Sequence, residues 1–187
     1  MHDVYENCPV YENEKYLLRL IEKEDWEDLL KVYSDRKAVP FFNSDNCHGD
    51  TFYYASAERM KQAVDFWLAE YAKKYYVRWA VIDQASGTAI GTIELFNRKA
   101  NDYFTNCGLL RLDLRSDYER SNEIENILRL IMSFAFEDFE CDKVATKAAP
   151  HALERIAALK NVGFYATNEK LIGGDGTEYH SYFVIAR

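Results

Sequence analysis

The sequence of 187 residues contains no apolar run that approaches the length of a membrane-spanning helix, and no internal repeat or low-complexity tract. Its opening stretch, MHDVYENCPVYENEKY, lacks the basic start and apolar segment of a secretory signal, so none is expected. The four cysteines, Cys8, Cys47, Cys107 and Cys141, show no paired spacing. Scattered single cysteines favour free thiols and a cytoplasmic location.

The chain also has fewer basic than acidic residues. The chain has 23 Lys and Arg residues against 31 Asp and Glu residues, a formal net charge of −8. Because a basic surface supplies most of the affinity for nucleic acids, this balance argues against nucleic-acid binding. It is compatible with a cationic or amine-bearing substrate, and equally with a charge that only keeps the protein in solution.

Several motifs that carry chemistry are missing as well. The sequence has no Walker loop, no dinucleotide-binding fingerprint and no nucleophile elbow. The histidines, at positions 2, 48, 151 and 180, lack the spacing of metal ligands, so no metal site is expected. What the chain does have is 48% apolar and 15% aromatic residues. This composition predicts one globular domain over residues 1–187, with residues 1–14 as an N-terminal extension.

The first half of the chain predicts two helices between strands. Residues 15–21, KYLLRLI, are typical of a strand, and a short amphipathic helix follows from Trp26 to Tyr33. Residues 34–54 have no clear period and are expected to form a loop. Ser56 is a plausible N-cap for a second helix, with Met60 and Val64 on its buried side. Residues 76–83 and 88–98, joined by QASG, then predict a β-hairpin.

The second half alternates strands and helices. Residues 104–115 predict a strand because Leu110, Leu112 and Leu114 alternate with charged residues. A helix is expected over 120–138 and a strand over 142–149. A further helix should begin at Pro150 with Leu153, Ile156 and Ala157 facing inward, and end at Gly163. Residues 164–169 and 179–186 predict a closing hairpin across GGDG.

This element order predicts an α/β fold with three layers. The unit formed by strand 104–115, helix 120–138 and strand 142–149 should have parallel strands and a right-handed crossover. The two hairpins should be antiparallel, so the sheet is mixed and carries helices on both faces.

The element order, together with SGTAIGTIELF in the second hairpin strand and ALERIAALKNVGF near the end, resembles the GNAT superfamily of acetyl-CoA-dependent N-acyltransferases. Within it, the chain is most similar to the branch of ribosomal-protein N-terminal acetyltransferases. The resemblance covers roughly residues 15–187. It implies direct attack of a primary amine, from a small molecule or a peptide or protein N-terminus, on the thioester of acetyl-CoA.

The resemblance also implies where acetyl-CoA binds. The fourth strand, here 104–115, should carry a bulge and diverge from the fifth, so that backbone groups near Leu112 and Leu114 meet the thioester and pantetheine arm. The pyrophosphate should lie on the following turn. The predicted cofactor-binding residues are Leu112, Leu114, Arg120, Ser121, Asn122, Glu123 and Ile124.

The sequence departs from the family pattern at this turn, which usually reads Arg/Gln-x-x-Gly-x-Gly/Ala. Glu119 stands at the basic position, and Arg120 and Asn122 replace the two glycines. Capping boxes formed by Ser116 with Glu119, or by Asn122 with Glu125, would use the helix N-terminus for the protein's own contacts. The turn is therefore either a weakened cofactor site or the start of a self-capped helix.

A second departure lies in the helix before Gly163. The branch has an Asn that touches the cofactor and, three residues later, a Ser that can protonate the leaving thiolate. Here these positions are Ala152 and Arg155, and Leu159 replaces the tyrosine acid of other members. An inactive GNAT-like binding or regulatory module that has lost CoA binding is the alternative function.

Two carboxylates are the candidate catalytic bases. Glu94 lies on a hairpin strand near the expected acceptor site, with an exposed structural carboxylate as the alternative. Asp113 lies between Arg111 and Arg115, with a surface ion-pair ladder as the alternative. Both need a raised pKa to act as bases at neutral pH.

Aromatic residues provide the candidate acceptor pocket. Phe41 and Phe42 in the loop, the nearby segment TFYY (51–54) and Trp79 are the predicted substrate-binding residues, although aromatic clusters more often belong to a core.

Overall fold

The structure, a computed structural model, describes residues 3–187. Strands of this region form one large mixed sheet in the order β1-β2-β3-β4-β5-β6-β10-β7, and β8 and β9 pair separately. All neighbours in the large sheet are antiparallel except β5 and β6, which are parallel as predicted. The strands are β1 (Tyr11–Glu12), β2 (Tyr16–Leu20), β3 (Val77–Asp83), β4 (Thr88–Arg98), β5 (Cys107–Leu114), β6 (Lys143–Lys147), β7 (Tyr165–Ala166), β8 (Leu171–Ile172), β9 (Glu178–Tyr179) and β10 (Tyr182–Ala186).

Helices cover both faces of the sheet, which confirms the predicted three-layer α/β fold. Side chains of β3 alternate between the two cores: Trp79 packs in the cluster that contains residues of α3 and α5, and Ala80 packs in the cluster that contains residues of α1 and α2. The helices in the described region are α1 (Trp26–Tyr33), α2 (Ala57–Ala72), α3 (Ser121–Met132), α4 (Ala135–Asp138) and α5 (Leu153–Val162). No helix within residues 3–187 is long and apolar enough to cross a membrane.

The local signals in the first half produce the expected elements. Ser56 accepts a hydrogen bond from the backbone N–H of Arg59, which makes it the N-cap of α2. Residues 34–54 form a loop apart from a short 3₁₀ turn at Val39–Phe41. The N-terminal segment packs on the domain: Val4 and Tyr11 are buried, and β1 extends the sheet beside β2.

The predicted helix over 120–138 is wrong in one respect, because it breaks into α3 and α4. The hydroxyl of Ser133 donates to the carbonyl of Arg129, and the N–H of Phe134 donates to Ile131 instead of residue 130. The ring of Phe134 then stacks on Tyr11 with centroids 4.5 Å apart. A side-chain bond within the helix and an aromatic contact outside it together end the regular turn.

The bulge expected in strand 104–115 is absent. Pairing between β4 and β5 runs without a register shift from Cys107 to Leu114. The irregularity lies between β3 and β4, at Val81 and Ile82. Beside it, Gly91 approaches β5 so closely that an added Cβ would lie 2.1 Å from the carbonyl oxygen of Asp113. Only glycine fits at that point.

The predicted start of the last helix is wrong, and of the three residues predicted to face inward only Ile156, which is half-buried, packs against the core. α5 begins at Leu153, because residues 150–152 form a turn after β6. Leu153 is 72% exposed and Ala157 is exposed, whereas Arg155, Ala158 and Leu159 are buried. The helix is thus rotated relative to the apolar pattern, and a charged residue belongs to its buried face. Gly163 ends it with φ of 111°, as predicted.

Candidate functional site

The gap between β5 and β6 is the first part of the site. Residues 107–110 pair with residues 143–146, and β5 then continues to Leu114 without β6 as a paired neighbour. The strands therefore part toward their C-terminal ends, as expected from the sequence. In this unpaired part, Nη1 of Arg155 donates to the carbonyl oxygen of Leu112 over 2.7 Å. A buried arginine side chain, 3% exposed, thus covers the stretch of β5 predicted to meet a thioester.

Glu119 holds this arginine in place. Nε and Nη2 of Arg155 each donate to one oxygen of the Glu119 carboxylate, both over 2.7 Å, and both side chains are almost fully buried. Burial by itself would lower the pKa of Arg155, but the neighbouring Glu119 carboxylate outweighs it and raises the pKa. The pair is a two-point contact of the kind that fixes geometry.

The N-terminus of α3 contacts a second carboxylate from α5. The backbone N–H of Ser121 donates to Oε2 of Glu154 over 2.7 Å. An anion at this helix end is favourable because N-terminal N–H groups have no partner within the helix. Neither predicted capping box forms, because the Glu119 carboxylate pairs with Arg155 and the Glu125 carboxylate accepts from Arg129 and Asn161.

The remaining residues of this turn point away from the gap or into the core. Glu123 is 4% exposed and accepts hydrogen bonds from Lys15, at 2.6 Å, and from the hydroxyl of Tyr16. Burial would raise the pKa of Glu123, but these two donors outweigh it and lower the pKa. Asn122 donates to Glu123, and Ile124 is buried in the core.

Arg120 is the one basic residue among the predicted cofactor-binding residues, so it is the expected charged contact for a phosphate. Its side chain is 61% exposed and lies 3.8 Å from Glu123, so it is the least constrained charge of the turn. Leu112 and Leu114 are buried in the core beneath α3. The structure brings the predicted cofactor-binding residues together, but it adds Glu119, Glu154 and the guanidinium of Arg155 among them.

These contacts do not fit acetyl-CoA. The pantetheine arm would need the part of β5 that Arg155 occupies, and the pyrophosphate would need the N–H that Glu154 already accepts. Two carboxylates, from Glu119 and Glu154, would face a phosphate group that also carries negative charge. We call the gap between β5 and β6, together with the N-terminus of α3, the donor side. In this conformation the donor side is filled by the protein's own side chains.

The opposite face of β4 and β5 holds a buried cluster of charges around Glu94. This carboxylate is 1% exposed and accepts hydrogen bonds from Arg78 and, over 2.5 Å, from Nη1 of Arg111. Burial would raise its pKa, but the guanidinium groups of Arg111 and Arg78 outweigh it and lower the pKa. Glu94 is therefore neither an exposed carboxylate nor one with the raised pKa that a base at neutral pH needs.

Asp113 lies in the same cluster and is fully buried. Its Oδ2 accepts from the hydroxyl of Tyr33 over 2.8 Å and lies 3.4 Å from Nη1 of Arg78. Burial raises its pKa, and the charge of Arg78 only partly offsets this. The surface ion-pair ladder considered from the sequence is wrong, because Asp113 is enclosed by α1 and the sheet. The role of Asp113 as a general base remains a prediction.

The predicted aromatic pocket residues separate into two groups. Phe42 packs on Tyr33 with centroids 5.3 Å apart, and Phe41 lies 5.5 Å from the ring of His151. Trp79 faces the other core, where its indole N–H donates to the carbonyl of Pro9 and its ring contacts Phe139. The structure therefore does not bring Trp79 together with the two phenylalanines.

We call the face of the sheet that carries Glu94 and Asp113 the acceptor side. Two cavities open on it. The larger one, of about 530 Å³, lies among the loop at Asn43–Asn46, β5 and the segment 171–174. The other, of about 400 Å³, is lined by the aromatic side chains of Phe52, Tyr54, Phe66, Trp67 and Tyr76, and we call it the aromatic cavity. Asn46 and Arg111 contribute to both walls. Of the segment TFYY, Phe52 and Tyr54 line the aromatic cavity, and their role in binding a substrate remains a prediction.

Arg155 and Arg78 are the residues of the candidate site that sequence patterns did not predict. The inward face predicted for the last helix left Arg155 outside, although its position had been noted as a departure from the family. Arg78 stands within an apolar strand, VRWAVID, where a single charge is easily taken for a solvent-facing residue. A charged residue at a buried strand position, opposite Glu94 on the next strand, was the available signal.

Comparisons with known proteins identify a family and solved structures with the same fold. A family model described as "Acetyltransferase (GNAT) domain" matches residues 15–165. No curated protein matches the chain. Among solved structures, the ribosomal-protein-S5-alanine acetyltransferase from Vibrio fischeri has a TM-score of 0.69 and 17% identity, covering 95% of this chain and 96% of its own.

Two other solved structures show the same likeness. An acetyltransferase (GNAT family) from Bacillus anthracis has a TM-score of 0.69 and 14% identity, covering 95% of this chain and 98% of that one. RimL, a ribosomal L7/L12 α-N-protein acetyltransferase in complex with coenzyme A, has a TM-score of 0.69 and 13% identity, with 96% and 97% coverage. Sequence identities as low as these show a shared fold and nothing further. Because the family model spans most of the sequence, the chain belongs to the GNAT acetyltransferase family.

Proposed function

We propose that this GNAT-family protein is a binding module that receives a small ligand on the acceptor side of its sheet and does not load CoA on the donor side. The observation that carries the proposal is the Arg155–Glu119 pair on the unpaired part of β5. Separating the two partners of a buried ion pair costs about 3–5 kcal/mol, and a CoA ester that displaced Arg155 from Glu119 and Leu112 would have to supply that free energy.

The acceptor side supports the binding half of the proposal. Its two cavities, of about 530 and 400 Å³, have the size of small-molecule sites. Both contain charged and apolar groups within one concave surface. The four cysteines are free thiols in the structure, and we include a cytoplasmic location in the proposal because unpaired thiols persist in reducing compartments.

The second candidate function is acetyl transfer from acetyl-CoA to a primary amine of a small molecule or a protein N-terminus. Membership of the family favours it, and so does the divergence of β5 from β6. It requires Arg155 to leave Leu112, and it requires a base other than Glu94 in its present ion pairs. Asp113, whose pKa is raised, is the remaining candidate of the two.

One experiment separates the two functions. Thermal unfolding and calorimetry with CoA and acetyl-CoA at millimolar concentration should show no stabilisation of the natural protein, because only ligands that bind the folded state raise the melting temperature. Thiol release from acetyl-CoA should stay at the background rate with a panel of amines. A saturable rise in melting temperature, or amine-dependent thiol release, would instead establish the second candidate.

A double variant tests the cause. Glu119→Gln with Arg155→Ser removes the ion pair and leaves a small hydroxyl at the family's serine position. If the pair is what blocks CoA, this variant should show weak CoA binding that the natural protein lacks. Glu125→Gln with Arg129→Ser is the matched control, because it removes a more exposed Glu–Arg ion pair that lies within α3. Equal behaviour of both variants would refute the blocking role.

A further inference from the structure

The aromatic cavity has walls that suit a flat apolar body. Phe52, Tyr54 and Trp67 are buried residues of its lining, and Phe66, which is 57% exposed, lies at its edge. Aromatic walls favour ring-shaped ligands, because offset and edge-to-face contacts add to the gain from burying apolar area. The volume of about 400 Å³ accommodates one small molecule.

The charges of this lining oppose the charge of the whole chain. Three arginines, Arg59, Arg78 and Arg111, face two carboxylates, Asp50 and Glu94. The lining residues themselves therefore carry an excess of one positive charge, with the Asp113 carboxylate outside the lining and in contact with Arg78, in a protein whose formal net charge is −8. A local excess of one sign in a concave site attracts the opposite sign, so an anionic ligand is favoured.

The aromatic rings cannot serve as a cage for a cationic ligand, because arginines already occupy their faces. The guanidinium carbon of Arg78 lies 4.2 Å from the ring centroid of Trp67, and that of Arg59 lies 4.4 Å from the ring centroid of Tyr54. An ammonium group entering the cavity would compete with these contacts and meet repulsion from both arginines. The amine suggested by the overall charge of the sequence does not suit this cavity.

Arg59 is the arginine with hydrogen-bond donors to spare. Arg78 and Arg111 are tied to Glu94, and Arg111 also donates to the carbonyl of Asp45. Within residues 3–187, Arg59 donates one side-chain hydrogen bond, from Nη2 to Asp50 over 2.9 Å, and its side chain is 44% exposed. The N–H groups of Nε and Nη1 and the second N–H of Nη2 are therefore available to a carboxylate, which can bind two neighbouring nitrogens of a guanidinium.

We propose that the aromatic cavity binds a small aromatic carboxylate, with its ring between the aromatic walls and its carboxylate on Arg59. The inference rests on the proposed function, since it names the ligand class for the acceptor side. It differs from an amine-acceptor pocket in the sign of the ligand charge.

The test compares three probes of nearly equal shape: phenylacetate, phenylacetamide and 2-phenylethylamine. Binding is followed by ¹H–¹⁵N chemical shifts of the Trp67 indole and the Arg59 side chain, with calorimetry for affinity. Phenylacetate should bind at millimolar concentration and shift both signals, phenylacetamide should bind about tenfold more weakly, and the amine should not bind.

Variants locate the carboxylate. Arg59→Gln should weaken phenylacetate about tenfold, which brings it to the affinity of the amide. Arg36→Gln is the matched control: Arg36 also lies over a tyrosine, Tyr53, at 5.4 Å, but it does not line this cavity. It should leave binding unchanged.

Each other outcome overturns the inference. Preferential binding of the amine would refute the ligand class while leaving the proposed function intact. Chemical-shift changes confined to residues of the larger cavity would refute the placement of the ligand in the aromatic cavity. Equal effects of the two arginine variants on binding would refute it as well. Absence of binding by all three probes would refute the class, whereas the proposed function fails separately, if CoA binds the natural protein.

Discussion

The two faces of the sheet treat buried charge differently. On the donor side, Arg155 and Glu119 form a closed pair in which both carboxylate oxygens and three guanidinium nitrogens have partners. On the acceptor side, Nε of Arg78 and Oδ1 of Asp113 are buried without a hydrogen-bond partner among residues 3–187. Unpartnered buried polar atoms cost free energy that full pairing avoids.

This difference separates a structural element from a candidate binding element. The donor-side pair fills its space and satisfies its atoms, as expected of a contact that only holds α5 on the sheet. The acceptor-side cluster keeps unsatisfied atoms next to two cavities, as is common at sites that interact with something else. Family membership would have suggested the reverse assignment, with CoA on the donor side as the defining contact.

Breaking the donor-side pair should give the largest effect. Arg155→Met removes the cation and leaves the Glu119 carboxylate buried without a partner. We expect a loss of about 3–5 kcal/mol in the free energy of unfolding, measured by urea denaturation. Arg129→Met, at an exposed ion pair on α3, should cost less than about 1 kcal/mol. A loss as small as that of the control would mean that Glu119 regains water and the gap is open.

Glu123 should give the next largest effect on the donor side. Glu123→Gln weakens the contacts of a buried carboxylate with Lys15 and Tyr16, and we expect a loss of about 1.5–3 kcal/mol at neutral pH. Because the folded pKa of Glu123 is lowered, its contribution is present above the ordinary value of 4.5 and is lost as the pH falls through the folded pKa.

The check is the stability difference between Glu123→Gln and the natural protein from neutral to acid pH. The difference should shrink below pH 4.5. A difference that stays constant with pH would show that packing, and not ionisation, causes the loss.

Asp113 should show a pH dependence of the opposite sign on the acceptor side. Its folded pKa is raised, so its favourable contribution is present below the ordinary value of 3.8 and is lost as the pH rises through the folded pKa. The stability of Asp113→Asn relative to the natural protein should therefore improve over that range, by at most about 1.4 kcal/mol per pH unit. Urea unfolding across the acid range measures it, and an opposite slope would contradict the buried placement.

Arg120 should give the smallest effect. Its side chain is 61% exposed and its nearest carboxylate oxygen is 3.8 Å away. Arg120→Ala should change the free energy of unfolding by less than about 0.5 kcal/mol and leave the response to CoA unchanged. Loss of CoA stabilisation in this variant alone would identify Arg120 as the phosphate contact predicted from the sequence.

Much of the fold could be predicted because its elements carry strong local signals. The QASG turn between two apolar runs specified the β3–β4 hairpin, and the leucines of β5 specified which side faces α3. Ser56 and Gly163 marked helix ends through side-chain and backbone chemistry. The break at Ser133 could not be predicted in the same way, since it depends on the ring of Tyr11, which is distant in sequence.

The site was harder to predict because hydrophobic periodicity does not show which charged side chains are buried. The inward face of α5 was misassigned since Arg155 lies among its buried residues. The environments of Glu94 and Asp113 depend on Arg78 and Tyr33, which come from β3 and α1. Side-chain spacing along one strand shows which face a carboxylate occupies, but the cation that meets it is determined by sheet register and helix docking.

Under the proposed function, the contacts of Glu119, Glu154 and Arg155 also limit the substitutions that would open a CoA site. Arg155→Ser alone leaves Glu119 buried without its partner, and Glu119→Arg alone sets two guanidinium groups against each other. Either single step passes through a protein weakened by about 3–5 kcal/mol, a large share of the stability of an ordinary domain. Under the proposed function, CoA binding would therefore require substitutions at several positions at once.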